Sequence, residues 1–126
     1  MRMFKAIECN YRTGDYIKGL TDSQGNTSLS IEVTTKLRTV MIDPTEVIKA
    51  IEMVMINGTR EELKCKAVHG YKVVVRPQRG RESSIRIELH TNSDMDTVVL
   101  HQDRAKALIV ELVNARGFAE EMAVKQ

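Results

Sequence analysis

The chain has 126 residues, 42% hydrophobic and 29% charged, which suits one soluble globular domain. Nineteen Lys and Arg against 17 Asp and Glu leave a net charge of +2, too balanced to mark a nucleic-acid binder by charge alone, and 4% aromatic residues with no Trp exclude a dense base-stacking platform. No apolar run approaches the ~18 residues that span a bilayer, no basic-then-apolar leader opens the chain, and two cysteines make no disulfide framework, so the expected setting is cytoplasmic, with no membrane partner.

Residues 4–12 alternate, with Ile7, Cys9 and Tyr11 on one face, and predict a first strand. Thr13 and Gly14 turn the chain into a second strand over 15–21. Ser23, Gly25 and Asn26 form a hairpin turn, after which Leu29, Ile31 and Val33 alternate with Ser28, Ser30 and Glu32 as a half-buried strand. Thr39 to Ile42 is a short fourth strand. Asp43 as N-cap, Pro44 at the first helical position and Glu46 as a capping-box partner then start a helix. Its apolar stripe is Val47, Ile48, Ile51, Val54 and Met55, and Asn57 with Gly58 ends it.

The order then repeats: strands near 61–69, 71–77, 83–91 and 96–101, and a helix from Asp103 to Arg116 closed by Gly117. The second helix carries Ala105, Leu108, Ile109, Leu112 and Val113 on its apolar stripe. Residues 118–126 read as a short further turn, where Phe118 and Met122 are available to a partner. A shift of 56 residues superposes the halves: Ile7 on Leu63, Cys9 on Cys65, Gly14 on Gly70, Ile31 on Ile87 and Thr35 on Thr91. Two extra residues placed after Thr91 make the shift 58, which sets Thr39–Ile42 on Thr97–Leu100 and Ile51 on Ile109. One half is too small to bury much apolar surface alone. The expectation is therefore a single α+β domain, residues 1–126, of two ββββα repeats (about 3–58 and 59–117, with a tail of 118–126) forming a curved antiparallel sheet with both helices on one face. Such a sheet leaves open edges, so a homo-oligomer, dimer or higher, is expected.

Catalytic signatures are missing: no phosphate-binding glycine motif, nucleophile elbow or HExxH occurs, and His69, His90 and His101 lack metal-ligand spacing with either cysteine. Cys9 and Cys65 read as small buried hydrophobes, and Glu32 and Glu88 as outward-facing sheet charges. The chain is read as a non-enzymatic protein without a cofactor. Phosphate recognition has more support. Arg76, Arg79, Arg81 and Arg86 cluster around Gly80 against one acid, Glu82, and guanidinium forks match phosphate oxygens. The matching turn of the first half, Asp22 to Thr27, has no Arg or Lys. A second candidate is the polar stretch Asn92 to Asp96, read as an inserted loop whose Asn92 and Asp94 can bond a ribose or a base edge. Arg104 opens the following helix, whose positive end favours an anion.

Four strands and a helix, twice over, resemble the purine-rich-element-binding and Whirly-like families of single-strand nucleic-acid binders. That resemblance implies a nucleic-acid partner, although the outward positions Glu8, Asn10, Arg12, Ser28, Ser30, Glu32, Arg86, Glu88 and His90 include no aromatic for stacking. In size and layout the chain is also similar to the phage-encoded Thoeris anti-defence sponges. This resemblance implies sequestration of a small cyclic or ADP-ribose-type signalling nucleotide, which blocks host immunity from the host cytoplasm. It implies a pocket between protomers that uses Asn92, Asp94, Val98 and Arg104. Where it implies an aromatic near the preceding hairpin, Arg81 and Glu82 stand instead. The expected partner is a small phosphate-bearing nucleotide. The alternatives are single-stranded DNA or RNA, and a protein target in a host defence complex.

Overall fold

The computed structural model describes residues 2–34, 36–80 and 83–125, so the expectations placed on Thr35, Arg81 and Glu82 lie outside the described residues. The protein is α+β, with two antiparallel sheets and two helices. The first sheet contains β1 (Arg2–Met3), β2 (Ile7–Glu8), β3 (Tyr16–Thr21), β4 (Thr27–Val33) and β5 (Lys36–Met41); β1 and β2 pair with successive parts of β3, as a first strand broken in the middle. Helix α1 (Pro44–Asn57) follows. The second sheet is a meander of β6 (Glu61–Lys64), β7 (Lys72–Pro77), β8 (Ser84–Thr91) and β9 (Asp94–His101), and α2 (Gln102–Lys125) closes the chain. The strands thus divide between two sheets, where one continuous curved sheet was expected.

The helices cross over. α1 packs on β6, β7 and β8 of the second sheet, while α2 lies against β2, β3 and β4 of the first as well as β8 and β9. One core forms between them: Ile17, Leu29, Ile31 and Val40 from the first sheet, Val73, Ile87, Leu89 and Leu100 from the second, and Val47, Ile51, Leu108 and Leu112 from the helices, all fully buried. Each of these strand residues recurs at period two, as a sheet with one covered face requires. Cys9 and Cys65 are free thiols buried in the same core.

The local hydrogen bonds repeat with the sequence. Cys9 N donates to Asp15 O at 2.8 Å, and Cys65 N to Tyr71 O at 2.9 Å. Asp15 N donates to Arg12 O, and Tyr71 N to Val68 O, each at 3.3 Å. Gly14 and Gly70, at φ +93° and +88°, make these two turns possible. Register also moves the two extra residues. Asp22 N bonds Asn26 O across the β3–β4 turn, and Gln78 N bonds Ser84 O across the β7–β8 turn, so the extra length falls in the arginine hairpin. Val33 pairs with Lys36 and Thr91 with Asp94, leaving equal two-residue turns; Thr34 and Asn92 both have φ 48°. The stretch from Asn92 is therefore a tight hairpin, and Asp94 to Asp96 already belong to β9. A two-residue slip preserves which side chains face the core, so alternation alone does not locate the insertion.

Helix α1 begins as the sequence dictates: Asp43 Oδ1 accepts from Thr45 N at 2.8 Å, Pro44 takes the first turn, and Gly58 at φ 67° caps the end. Helix α2 departs from expectation, running through Gly117 to Lys125. Its extension packs on the β3–β4 turn, where a Cβ on Gly25 would stand 3.0 Å from Ala119 O. Phe118 turns inward, with its ring 6.3 Å edge-on from Phe4 and the Arg2 guanidinium 5.1 Å from both rings. Val113, expected in the apolar stripe, is 41% exposed, and Ala115 takes the buried position. No helix among the described residues is long and apolar enough to cross a membrane.

Candidate phosphate-binding site

The outer face of β8 is polar because Arg86, Glu88 and His90 alternate with the buried Ile85, Ile87 and Leu89. On it, Arg76 of β7 and Arg86 of β8 are direct cross-strand partners, two like charges set side by side. Glu88, one pleat along β8 and only 5% exposed, neutralises them: Oε2 lies 3.0 Å from the Nε of both arginines, and Oε1 lies 2.9 Å from His90 Nε2. Glu88 is therefore a buried clamp, whereas the sequence reading placed it outward and solvated. The equivalent position in the first sheet is Ser30, whose hydroxyl bonds Thr39 at 3.1 Å, so the charged array belongs to one repeat only.

Arg76, Pro77, Gln78, Arg79 and Arg86 enclose a cavity of about 310 Å³. Arg79 has no carboxylate within ion-pair distance among the described residues. Three arginines thus line one small space, and two of them are pre-set by a shared carboxylate.

A second cavity, about 360 Å³, shares Gln78 and Arg86 with the first. It opens along the free edge of β9, where the first repeat closes only part of the gap. Asn10 N donates to Val99 O and His101 N to Asn10 Oδ1, both at 2.8 Å, and Val99 N donates to Cys9 Sγ at 3.3 Å. Beyond that seam the cavity is bordered by Asp15, Asp96 and Thr97. Asp96 is held by Arg38 at 2.7 Å, and Arg38 also donates to Thr91. Asp15, 5% exposed, leaves Oδ2 without a hydrogen-bond partner, and the Thr97 hydroxyl is likewise buried and unpartnered. Arg86 Nε is also without an aligned hydrogen bond, its contact with Glu88 being an ion pair off the hydrogen-bond angle. Three of the four buried polar atoms left unsatisfied among the described residues therefore belong to residues that line this one space, and buried polar groups are rarely left so. Tyr11 stands at its rim, 55% exposed, its ring edge-on to His101 at 5.8 Å and its hydroxyl beside Gly80 of the arginine hairpin.

Of the residues singled out from sequence, Arg76, Arg79 and Arg86 converge. Arg81 lies outside the described residues. Asn92 and Asp94 sit exposed at the far end of β8 and β9, five to six residues from Arg86 along the strand direction, roughly 17–20 Å at strand rise. Val98 is fully buried among core side chains. Arg104 is spent on the fold: its guanidinium donates to Glu8 O at 3.2 Å and Cys9 O at 3.3 Å, fastening the first repeat to the start of α2. Asp15, Gln78, Thr97 and Tyr11 escaped the sequence reading. The unequal hairpin lengths were the one available signal for Gln78; Tyr11 and Asp15 arrive from the other repeat.

A larger cavity, about 510 Å³, lies at the other junction between repeats, between β5, the start of α1 and the end of α2. Lys64, Lys66 and Arg116 border it, offset by Asp43, Glu46 and Glu120. Among the described residues no three His, Cys, Asp or Glu side chains converge as metal ligands. No protein family model matches the chain, and neither curated proteins nor solved structures yield a significant match.

Proposed function

We propose that this protein is a non-enzymatic binding protein for a small, phosphate-bearing nucleotide. The observation that carries the reading is the convergence of Arg76, Arg79 and Arg86 on one small cavity, with Arg76 and Arg86 oriented by Glu88. Guanidinium forks bond phosphate oxygens in pairs, and forks already fixed lose less side-chain entropy on binding. The space suits a few phosphates rather than a polymer. A strand binder needs a basic track with stacking rings along it, whereas the outer face of this sheet alternates cations with Glu62 and Glu88. Sequestration is the mode that fits: the ligand is held and nothing is turned over. Assembly into a homo-oligomer belongs to the same reading, and a single monomeric species in sedimentation would remove it.

The purified protein supplies the first test. With no Trp and three Tyr, its own absorbance at 280 nm is low, so a bound nucleotide dominates the ultraviolet spectrum. The protein is heat-denatured and filtered, and the released material is analysed by mass spectrometry. A small nucleotide in proportion to protein is the expected result. Long, nuclease-sensitive nucleic acid would instead establish a strand binder. Added pyrophosphate gives a direct check: Arg76→Ala and Arg79→Ala should each weaken its binding by about tenfold or more, the worth of one charge-assisted hydrogen bond.

A further inference from the structure

We infer that the cavity beside the arginine pocket is a ribose subsite, in which Asp15 and Thr97 select a ligand carrying ribose hydroxyls. The inference rests on the phosphate reading above and extends it to the ligand's next chemical group. The two cavities share Arg86 and Gln78, so a ligand held by its phosphates at the arginines reaches the second space through whatever is bonded to them. In a 5′-nucleotide that group is the sugar.

The second space is mixed in charge where the first is cationic: Asp15 and Asp96 border it together with Arg12 and Arg86. Asp15 Oδ2 is a buried carboxylate oxygen with no donor, and a carboxylate there repels phosphate but accepts from O–H. Thr97 brings a buried hydroxyl equally without a partner. The neighbouring Asp96 is already matched by Arg38, which leaves Asp15 as the unmet acceptor. A vicinal diol supplies what each of the two lacks: one hydroxyl donates to Asp15, while the Thr97 hydroxyl bonds the second. The volume, about 360 Å³, accommodates a sugar, and the exposed Tyr11 ring at the rim offers a face to the base. A deoxygenated sugar would leave Asp15 buried and unmet, which is the arrangement that discriminates most strongly against a missing hydroxyl.

The test is calorimetric titration of the intact protein with three probes: ADP, 2′,3′-dideoxy-ADP and inorganic pyrophosphate. ADP should bind about tenfold or more tightly than its dideoxy analogue, the scale of one hydrogen bond to a charged group. Asp15→Ala and Thr97→Val should each shrink that ratio. The wild-type ratio decides the matter even where a variant folds poorly. Equal binding of ADP and dideoxy-ADP, with pyrophosphate also bound, would overturn the ribose subsite and leave the phosphate site standing. Binding of none of the three would overturn both.

Discussion

Glu88 decides where two guanidinium forks point. Arg76 and Arg86 face each other across β7 and β8, and only the carboxylate beneath them makes that pairing tolerable. Replacing Glu88 with Ala leaves two neighbouring cations opposed. Both are 30% or more exposed, so solvent screens part of the repulsion. The expected loss is about 1–2 kcal/mol, read as a lower urea midpoint at unchanged slope. Asp22 poses a different residue-scale question. The backbone N–H of Asn26 holds its carboxylate below the ordinary aspartate range, aided by the Gln24 N–H and the Asn26 side chain. A folded value below the unfolded one stabilises the turn fully above the ordinary aspartate range, and the contribution is lost as pH falls through the lowered value. NMR titration of the Asp22 carboxyl should therefore give a midpoint below that of an unstructured peptide; a midpoint at or above it would mean the turn does not hold the carboxylate.

Among the elements, α2 shows how one substitution has opposite effects at two sites. Gly117 is a helical, exposed glycine with nothing within 4 Å of an added Cβ. Gly117→Ala should stabilise the protein by about 0.5–1 kcal/mol, through lower chain entropy in the unfolded state. Gly25 sits at φ +86°, and an added Cβ meets Ala119 O of the same helix at 3.0 Å. Gly25→Ala should cost about 1–2 kcal/mol from the left-handed conformation alone, and more from the contact. Chemical denaturation of both variants tests the pair together. A cost for Gly25→Ala no larger than the left-handed conformation exacts by itself would mean that the C-terminal part of α2 does not rest on the β3–β4 turn. The arginine hairpin is the other element that repays comparison with its counterpart. Its two extra residues belong to the turn that carries the arginine cluster, and they enlarge the loop that borders the candidate site.

For the whole molecule, the crossing of helices ties the repeats into one cooperative unit. α1 covers the second sheet, and α2 covers the first while also resting on β8 and β9, so separating the halves strips the first sheet of its helix and α1 of its sheet. Arg38 and Asp96 occupy equivalent positions 58 residues apart and pair with each other across the junction. A fragment of residues 1–58 should therefore lack native-like dispersion in its amide NMR spectrum. The intact chain should lose sheet circular dichroism and tyrosine fluorescence change in one coincident transition. Two separated transitions would show that the repeats unfold independently. The seams between repeats also differ: at β9 the segment around Asn10 is hydrogen bonded to the edge, whereas among the described residues no backbone hydrogen bond joins the segment around Lys66 to β5.

The residues that wrote the fold into the sequence are those whose signals are local. Period-two alternation placed Leu29, Ile31, Ile87 and Leu89 on covered faces. Asp43, Pro44 and Gly58 marked both ends of α1, because caps act on backbone groups within one turn. The repeat was legible because equivalent turns need the same glycines, Gly14 and Gly70. Gly117 misled for the same reason: a glycine reads as a stop, yet packing of the following turn on Gly25, and of Phe118 on Phe4, carries the helix through it. Half of the candidate site was legible too, since Arg76, Arg79 and Arg86 lie within one hairpin. Asp15, Tyr11 and Thr97 were not, because no local pattern reports that the first repeat lies along β9. What the sequence by itself determined is the class of fold, the repeat and the charge asymmetry between its halves, all set by neighbours in the chain. The division into two sheets, the exchange of helices and the meeting of an arginine hairpin with an unpartnered aspartate were decided only by tertiary structure, because each depends on how distant segments bury their faces together.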